Sequence, residues 1–406
     1  MSRVLTMVLA GGEGKRLYPL TVERAKPAVP FGGRYRLIDF VLSNITNSGY
    51  LHIKVLTQYK SDSLIKHLSR AWNLSPMLGH YVDVVPAQMR TGRDWFRGSA
   101  DAIYQNINLI NTEKPDIVAI FNADHIYRMD VRQMVSQHEE KGADLTIAAI
   151  PVEASRCSEF GVIRADGDGR VTGYDEKPQA AVADANGRIL ASMGNYIFNA
   201  SILKEEVIAD AAAETNHDLA GNVVAGMFGR RSVYAYDFRE NLVSGAAENE
   251  RGYWKDVGTI DSYYGAHMDL VSVTPVFSLY NELWPIHSFS YQCPPAKFVF
   301  SKFDEGRVGF AIDSLVGEGT IVSGGTVMRS VIAPLVRINS YCTVEETVLM
   351  EHVVVGRRCK IRRAIVDKGV KIPPGTEIGL NPEEDQARFH VSPGGVVVIP
   401  KGYVFK

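Results

Sequence analysis

Residues 4–16 read VLTMVLAGGEGKR, a short apolar run that leads directly into a loop with three glycines in four positions. The apolar run has the length of a strand that is buried on both faces, as in parallel sheets that helices cover on two sides. Similar runs follow at residues 53–57, 117–122 and 145–152, with amphipathic stretches between them. This alternation predicts a doubly wound, Rossmann-like α/β domain.

One of the amphipathic stretches predicts a helix that Ser99 caps. Within that helix Ala102, Ile103, Ile107 and Ile110 would share one apolar face. We assign this face to the core of the α/β domain and give it no other role.

A repeat with a period of 17 residues begins at about residue 330. Within each copy an apolar residue returns at every sixth position, in three sets: Ile332, Ile338 and Val344; Leu349, Val355 and Ile361; Val366, Ile372 and Ile378. A six-residue period is typical of a triangular coil with short strands as its sides, whereas a β-sandwich has no fixed period. The repeat therefore predicts a left-handed parallel β-helix of the hexapeptide type.

The predicted domain boundaries follow from these patterns and from the proline-rich segment between them. The α/β domain is expected to cover residues 1–272, a linker 273–296, and the β-helix 297–406. Cys342 and Cys359 occupy matched positions of the repeat, so we assign them to the core of the β-helix.

The composition excludes several classes of protein. The chain has 406 residues with 44 Lys and Arg against 46 Asp and Glu, and this balance argues against a nucleic-acid partner. We expect no membrane partner, because no run of 18 apolar residues occurs. The N-terminus lacks the pattern of a signal peptide, and the four cysteines are scattered. These features predict a cytoplasmic protein with reduced thiols.

The glycine loop and the cations that follow it indicate a phosphate site. Without Cβ atoms in the way, the backbone N–H groups of Gly11, Gly12 and Gly14 can turn toward an anion. Arg16 and Lys26 would add two positive charges beside the loop. The loop is not a Walker A motif, because Gly14-Lys15 is followed by Arg16 and not by Ser or Thr. The glycines alone would also fit a tight turn.

The whole segment 9–40, which ends in PFGGRYRLIDF, resembles the signature of the sugar-1-phosphate nucleotidyltransferases. In detail it is similar to the ADP-glucose pyrophosphorylase family of bacterial glycogen synthesis, and the resemblance runs over most of the chain. It implies that Arg16 and Lys26 are catalytic cations that stabilise departing pyrophosphate. It also implies that the loop binds ATP through Leu9, Ala10, Gly11, Gly12 and Gly14.

Two aspartates are candidate metal ligands. Asp124 follows the apolar run 117–122, at the strand end where open α/β sheets place ligands, and Asp256 lies in the segment YWKDVGT at residues 253–259. Carboxylates in such positions suit Mg²⁺, although a lone aspartate after a strand commonly caps a helix. The resemblance implies that both residues bind Mg²⁺ and that Asp124 is also catalytic. Asp130 is predicted to cap the next helix.

The resemblance also implies the remaining substrate contacts. Glu176 would accept hydrogen bonds from glucose hydroxyls, and Lys177 would hold the 1-phosphate. Gln88 would bond the edge of adenine. Gly98 and Ser99 would line the nucleotide, and the sugar phosphate would also meet Phe96, Gly161, Ser192 and Trp254. We expect His125 and His217 to be structural, because a phosphate nucleophile is already anionic and needs no general base.

Some positions depart from the commonest pattern of this family. Asn122 stands where many members have glycine, and Phe96 stands where tyrosine is usual. Asn222 lies in a segment that usually carries Asp and Pro near the sugar. Glu23 stands where some members carry an activator-binding lysine, so a bisphosphate activator is not expected. Arg24 and Arg34 could line an effector site, but solvated surface arginines are the simpler interpretation.

The expected reaction is Mg²⁺-dependent transfer of an adenylyl group from ATP to α-D-glucose 1-phosphate. This is the first committed step of glycogen synthesis, and it is expected in a homotetramer that small metabolites regulate. One alternative is a related enzyme that uses another nucleotide or sugar phosphate, and another is a non-catalytic regulatory subunit. A third is a β-helix acyltransferase, which the single repeat histidine, His352, makes a weaker candidate.

Overall fold

The computed structural model describes residues 2–90 and 94–405. An α/β part with a nine-stranded sheet comes first, and a coil of short parallel strands follows it. In the described part of the chain, no helix combines the length and the apolar character needed to cross a bilayer.

The nine-stranded sheet is mixed. One path crosses it in the order Val171–Glu176, Gly161–Ala165, Arg188–Asn199, Ile117–Asn122, Val4–Ala10, His52–Thr57, Tyr81–Pro86. Leu145–Glu153 pairs with Arg188–Asn199 off this path, and Val233–Asp237 pairs with Leu145–Glu153. Two small ladders lie beside the sheet, Pro30–Phe31 with Tyr35–Arg36 and His125–Tyr127 with Trp254–Asp256.

The four predicted strands all form, but they differ in the direction of their neighbours. Val4–Ala10 lies between Ile117–Asn122 and His52–Thr57 and is parallel to both. Leu145–Glu153 runs antiparallel to the long strand Arg188–Asn199. An apolar run reports burial on both faces of a strand and does not report the direction of its neighbour, so the sequence pattern could not separate these cases.

Helices cover both faces of the sheet, as predicted. They are Leu37–Asn47, Asp62–Ala71, Ser99–Tyr104, Ile107–Glu113, Val131–Glu140, Ala200–Ala211, Ala225–Met227 and Ile260–Leu270, with a π-helical turn at Leu219–Val224. Val4 and Val8 of the first strand belong to one core with helix Leu37–Asn47, and Leu5 and Met7 belong to the other core with helix Ala200–Ala211. Alternate side chains of one strand therefore fill two separate cores.

The helix predicted from Ser99 is wrong in two respects. Gly98 is the residue that precedes the first helical turn, and the helix stops at Tyr104 before a second one begins at Ile107. The Asn106 side chain donates to the carbonyl of Ala102 at 2.8 Å, which competes with the backbone ladder at the break. The predicted apolar face survives, because residues of both helices enter the same core. The cap predicted at Asp130 is confirmed, since its carboxylate accepts from the Arg132 N–H at 3.0 Å.

The second part is the predicted β-helix, with three faces of stacked parallel strands. The first face contains Lys297–Val299, Ile321–Ser323, Arg337–Ile338, Val354–Val355 and Lys371–Ile372. The second contains Phe310–Ile312, Thr326–Met328, Thr343–Glu345, Lys360–Arg362 and Glu377–Ile378. The third contains Leu315–Val316, Val331–Ile332, Val348–Leu349, Ala364–Val366 and Val397–Ile399, and His390–Val391 is added antiparallel to the last of these. A hairpin, Ser301–Lys302 with Arg307–Val308, and helix Pro382–Arg388 are added to the coil.

The register of the coil agrees with the repeat in the sequence. Val331 pairs with Val348 and Val348 pairs with Ile365, so these coils are 17 residues apart. The nine predicted inward positions are buried in one core, together with Cys342 and Cys359. The six-residue period therefore identified the residues that fill the coil.

The same repeat carries an outward apolar row that joins the two parts of the chain. Val331, Val348 and Ile365 are buried in a cluster with Tyr263 and Leu270 of helix Ile260–Leu270. The segment between this helix and the first coil also packs tightly. Phe277 is buried in this cluster, and the side-chain amide of Asn47 donates to the carbonyl of Pro285 at 2.9 Å. The proline-rich segment is thus held against the α/β part and is not a free tether.

Candidate active site

A cavity of about 490 Å³ opens where the strands Val4–Ala10 and Ile117–Asn122 end. Most of the residues predicted for the site line it: Leu9, Gly11, Gly12, Arg16, Lys26, Phe96, Gly98, Ser99, Asp124, Gly161, Glu176, Lys177, Ser192, Trp254 and Asp256. Ala10 and Gly14 line a smaller neighbouring cavity, which shares Gly12, Arg16 and Lys26 with the larger one. The structure therefore brings together residues from distant segments of the chain.

The two aspartates meet because two short strands pair. His125–Tyr127 directly follows Asp124 and runs antiparallel to Trp254–Asp256, which puts Asp256 opposite His125. Ligand atoms of Asp124, His125 and Asp256 lie within 4.8 Å of one another. We call the region around Arg16, Lys26, Asp124 and Asp256 the aspartate end of the cavity.

Lys26 holds the aspartate end together. Its ammonium lies 2.7 Å from Asp124 Oδ2 and 3.3 Å from Asp256 Oδ1, and the residue is buried. Burial alone would lower the pKa of Lys26, but the two carboxylates outweigh that effect and raise it. Burial would likewise raise the pKa of Asp124, but the charges of Lys26, His125 and Arg16 lower it to about 2. Lys26 and Asp124 are therefore both ionised at neutral pH.

Arg16 approaches the same carboxylates. A Cβ placed on Gly258 would lie 3.0 Å from Asp256 Oδ2 and 3.1 Å from Arg16 Nη2. Both groups therefore reach the space that a larger residue at 258 would fill. At the glycine loop, the Thr21 hydroxyl donates to the carbonyl of Gly14 at 3.0 Å and fixes the turn that leads into Arg16. This hydrogen bond links the glycine loop to the segment that follows Arg16.

The opposite end of the cavity contains a second charged pair, and we call the region around Tyr174, Glu176, Lys177 and Ser192 the Glu176 end. The Tyr174 hydroxyl donates to Glu176 Oε2 at 2.9 Å, and the Lys177 ammonium donates to Glu176 Oε1 at 2.5 Å. Trp254 lies between the two ends, with its ring edge-on to His125 at a centroid distance of 5.0 Å.

Ser99 has a different local role from the one predicted. Its hydroxyl donates to Asp218 Oδ2 at 2.9 Å and accepts from the Leu219 N–H at 2.7 Å. Asp218 also lines the cavity, and its own N–H donates to the Asn222 side chain at 2.9 Å. Ser99 thus ties its helix to the π-helical turn at one wall of the cavity. Asn222 contributes to this wall indirectly, because its side chain accepts from the backbone N–H of Asp218.

Two predicted residues lie apart from the cavity. Gln88 is exposed, and its side-chain carbonyl accepts from the Arg90 guanidinium at 2.8 and 3.1 Å. Gln88 stands three positions before residues 91–93, which lie outside the described part of the chain. His217 is buried, and its Nδ1 lies 2.9 Å from Asp210 Oδ2, an arrangement typical of a structural histidine. The adenine contact predicted for Gln88 stays a prediction.

Arg24 does not fit the interpretation as a surface arginine. It is buried, and its guanidinium lies 2.9 Å from Asp367 of the β-helix. Arg34 is partly exposed, at 3.5 Å from Glu318. Glu23 is exposed and pairs with Lys401 at 2.6 Å. A short sequence motif does not report a partner more than 300 residues away, so the pairing of Arg24 could not be predicted.

Sequence reasoning missed several residues of the cavity, of which Tyr174, Asp218 and His125 matter most for its chemistry. Tyr174 and Asp218 stand in segments without a motif of their own, and only the strand pairing and the π-helical turn reveal them. His125 was assigned a structural role, but its ring lines the cavity, with Nε2 at 3.5 Å from Asp124 Oδ1. Its position directly after Asp124 was the signal available in the sequence.

Comparisons with known proteins agree with this geometry. Residues 5–273 match the family model described as nucleotidyl transferase, and residues 294–399 match the GlmU-like C-terminal hexapeptide model. A glucose-1-phosphate adenylyltransferase of Anaeromyxobacter sp. (strain Fw109-5) is 58% identical over 405 residues, covering 99% of this chain and 98% of the relative. The enzyme of that name from Anaeromyxobacter dehalogenans is 55% identical over 99% of this chain and 98% of the relative.

A relative with lower sequence identity gives the same result. Glucose-1-phosphate adenylyltransferase 1 of Vibrio vulnificus is 49% identical over 405 residues, covering 99% of both chains. Because these matches extend over both parts of the molecule, the chain belongs to the nucleotidyl transferase family, in the branch formed by the glucose-1-phosphate adenylyltransferases.

Proposed function

We propose that this chain transfers the adenylyl group of ATP to α-D-glucose 1-phosphate and releases pyrophosphate, as the first committed step of glycogen synthesis in the cytoplasm. The observation that carries the proposal is the pairing of two sites in one cavity. The aspartate end gathers Arg16, Lys26 and two carboxylates, and the Glu176 end offers a carboxylate beside a lysine. The names of the full-length relatives support the choice of substrates.

The reaction joins a phosphate oxygen of glucose 1-phosphate to the α-phosphorus of ATP. The bond from that phosphorus to the bridging oxygen of the β-phosphate breaks, and both electrons leave with pyrophosphate. No base is required, since the attacking oxygen is already negatively charged. The protein's contribution is to align the two substrates and to stabilise the charge that develops on the leaving group. We assign this stabilisation to Arg16 and Lys26, which both line the cavity.

The residues at the aspartate end fit a divalent metal ion. Asp124 and Asp256 present carboxylate oxygens, the ligands that Mg²⁺ prefers, and the space between them already accommodates the Lys26 ammonium. We propose that these two carboxylates hold Mg²⁺. When bound, the ion would neutralise charge on the phosphate oxygens of the substrates. His125 lies beside these carboxylates, with Nε2 at 4.0 Å from Asp256 Oδ1.

The test is release of pyrophosphate from purified full-length chain with ATP, glucose 1-phosphate and Mg²⁺. Parallel reactions with UTP, dTTP and GTP, and with other sugar 1-phosphates, separate the proposal from a related nucleotidyltransferase. We expect the highest kcat/KM with ATP and glucose 1-phosphate. Preference for another nucleotide would contradict the substrate assignment. Binding of ATP without any turnover would identify a regulatory subunit.

We further propose that the enzyme is a homotetramer regulated by small metabolites. Exposed apolar side chains near the start of the β-helix, Phe303 in the turn of the hairpin and Ile312 on the first coil, support self-association. The exposed pair Glu23–Lys401 places a carboxylate beside a surface lysine that could otherwise meet a bisphosphate, so we expect no activation by fructose bisphosphate. Molar mass from light scattering and velocities with a panel of central metabolites test these proposals.

A further inference from the structure

Both oxygens of Glu176 are engaged, but by partners of different mobility. Tyr174 is buried, with 5% of its surface exposed, and its hydroxyl holds Oε2 at 2.9 Å. The side chain of Lys177 is 56% exposed, and its ammonium holds Oε1 at 2.5 Å. One oxygen is therefore fixed by the core, and the other is covered by a group that can leave.

The fold builds the Tyr174–Glu176 contact with little freedom. Both residues point to the same face of strand Val171–Glu176 because they are two positions apart. Glu176 pairs directly with Gly161 of the neighbouring strand. A Cβ at position 161 would lie 2.0 Å from the Tyr174 hydroxyl and 3.1 Å from Glu176 Oε2. Glycine at 161 thus leaves the space that the phenol and the carboxylate occupy.

The Tyr174 hydroxyl keeps its proton at neutral pH and remains a hydrogen-bond donor. Burial, the neighbouring Tyr196 and the Glu176 carboxylate all raise its pKa well above the ordinary value. A phenol that keeps its proton can donate to Oε2 but cannot repel the carboxylate. The contact with Oε2 is therefore a lasting restraint on the orientation of Glu176.

The Lys177 ammonium can leave Glu176 Oε1 for another negatively charged group. Its backbone has a positive φ of 45°, and its N–H donates to the carbonyl of Phe160 at 3.1 Å, so the main chain is anchored while the side chain reaches over Glu176. A sugar phosphate carries more negative charge than a single carboxylate and would attract the ammonium away from Oε1. That movement would expose Oε1 to the hydroxyl groups of the same sugar.

We propose that Tyr174 is a positioning residue for sugar recognition, which fixes Glu176 by Oε2 so that Oε1 meets a sugar hydroxyl once Lys177 moves to the phosphate. This inference rests on the proposed function, because it assumes that the Glu176 end binds the sugar phosphate. It makes recognition of the hydroxyl depend on the phosphate of the same molecule. A sugar without a phosphate would find Oε1 still covered.

The test is the variant Tyr174→Phe, which removes only the hydroxyl. We expect KM for glucose 1-phosphate to rise about tenfold, as for the loss of one hydrogen bond to a charged group, with kcat and KM for ATP within about twofold. We also expect the preference for glucose 1-phosphate over galactose 1-phosphate to fall by a similar factor, because a freely turning carboxylate discriminates less. A purely structural role of Tyr174 would not change this selectivity.

The matched control is Tyr236→Phe, which removes a buried hydroxyl that accepts from Asn241 at 2.8 Å outside the cavity. We expect its KM and selectivity to equal those of the unmodified chain. If Tyr174→Phe fails to fold, Gly161→Ala tests the same contact, since the added methyl group must displace Tyr174 or Glu176. The inference is overturned if a folded Tyr174→Phe or Gly161→Ala variant keeps both KM and selectivity. An unmodified chain without turnover would instead overturn the proposed function.

Discussion

The two ends of the cavity hold their charged groups in different ways. At the aspartate end Lys26 is buried and lies within 3.3 Å of both carboxylates, so the cluster is fixed before any substrate arrives. At the Glu176 end Lys177 is more than half exposed and rests on one oxygen of its neighbour. A fixed cluster serves the transition state, whereas an exchangeable pair serves binding. Substitutions at the two ends should therefore separate into effects on kcat and effects on KM.

The largest effect is expected from the aspartates. Asp124→Asn and Asp256→Asn keep the shape of the side chain and remove its charge, so kcat should fall about 10³-fold. The measurement is pyrophosphate release, with thermal unfolding as the check that each variant is folded.

Glu159→Gln is the control for this pair. Glu159 lines the same cavity, but its carboxylate pairs with Arg156 at 2.6 Å. Its kcat should stay within about threefold of the unmodified chain. A folded Asp256→Asn variant that kept kcat within about tenfold would show that the aspartate end is not the reacting end.

Arg16→Ala should lower kcat by about 10² to 10³, because it removes a cation that faces the leaving pyrophosphate. Its neighbour Lys15 offers a matched comparison, since that side chain is exposed and pairs with Glu13 at 2.5 Å. Lys15→Ala should change kcat by no more than about threefold. Equal losses in both variants would mean that the loop needs positive charge in general and not a guanidinium at position 16.

Lys26→Met should lower turnover but strengthen the binding of divalent metal. Turnover should fall, because the cation is lost, but divalent metal should bind the substrate-free variant more tightly, because the ammonium no longer competes for Asp124 and Asp256. The removal of a buried partner should also lower the melting temperature, since two carboxylates are left unpaired. We therefore expect Mg²⁺ or Mn²⁺ to raise the Tm of Lys26→Met more than that of the unmodified chain. An equal or smaller rise would contradict a metal site at these carboxylates.

Much of the fold could be predicted because it depends on periodicity. The β-helix has a period that neither a helix nor a single strand can produce, and the inward residues followed from it. The break between helices Ser99–Tyr104 and Ile107–Glu113 could not be predicted, since it involves a side-chain hydrogen bond from Asn106 to the carbonyl of Ala102. The runs were interpreted as parallel strands, and the antiparallel pairing of Leu145–Glu153 with Arg188–Asn199 was not predicted, because burial is the only property that the apolar runs report.

The residues of the candidate site could be predicted, but the contacts between them could not. Motifs and family resemblance named Asp124 and Asp256, yet their meeting depends on the register of two three-residue strands. Tyr174 was missed because a buried tyrosine in a strand is ordinary core by composition, and its contact with Glu176 depends on the space left at Gly161. Sequence patterns report residue types and spacing, whereas these contacts depend on three-dimensional register.

The smallest effect is expected at Lys177, and it decides whether the two ends differ as described. Lys177→Gln should raise KM for glucose 1-phosphate about tenfold with kcat within about threefold, because an exposed lysine contributes modestly to binding and leaves the fixed cluster intact. Lys255→Gln is the control, since Lys255 has a similar exposure and pairs with Asp269 at 3.3 Å away from the cavity. If Lys177→Gln lowered kcat as strongly as Arg16→Ala, the Glu176 end would also act on the transition state. The division between a reacting end and a binding end would then be wrong, even though the cavity itself would remain the active site.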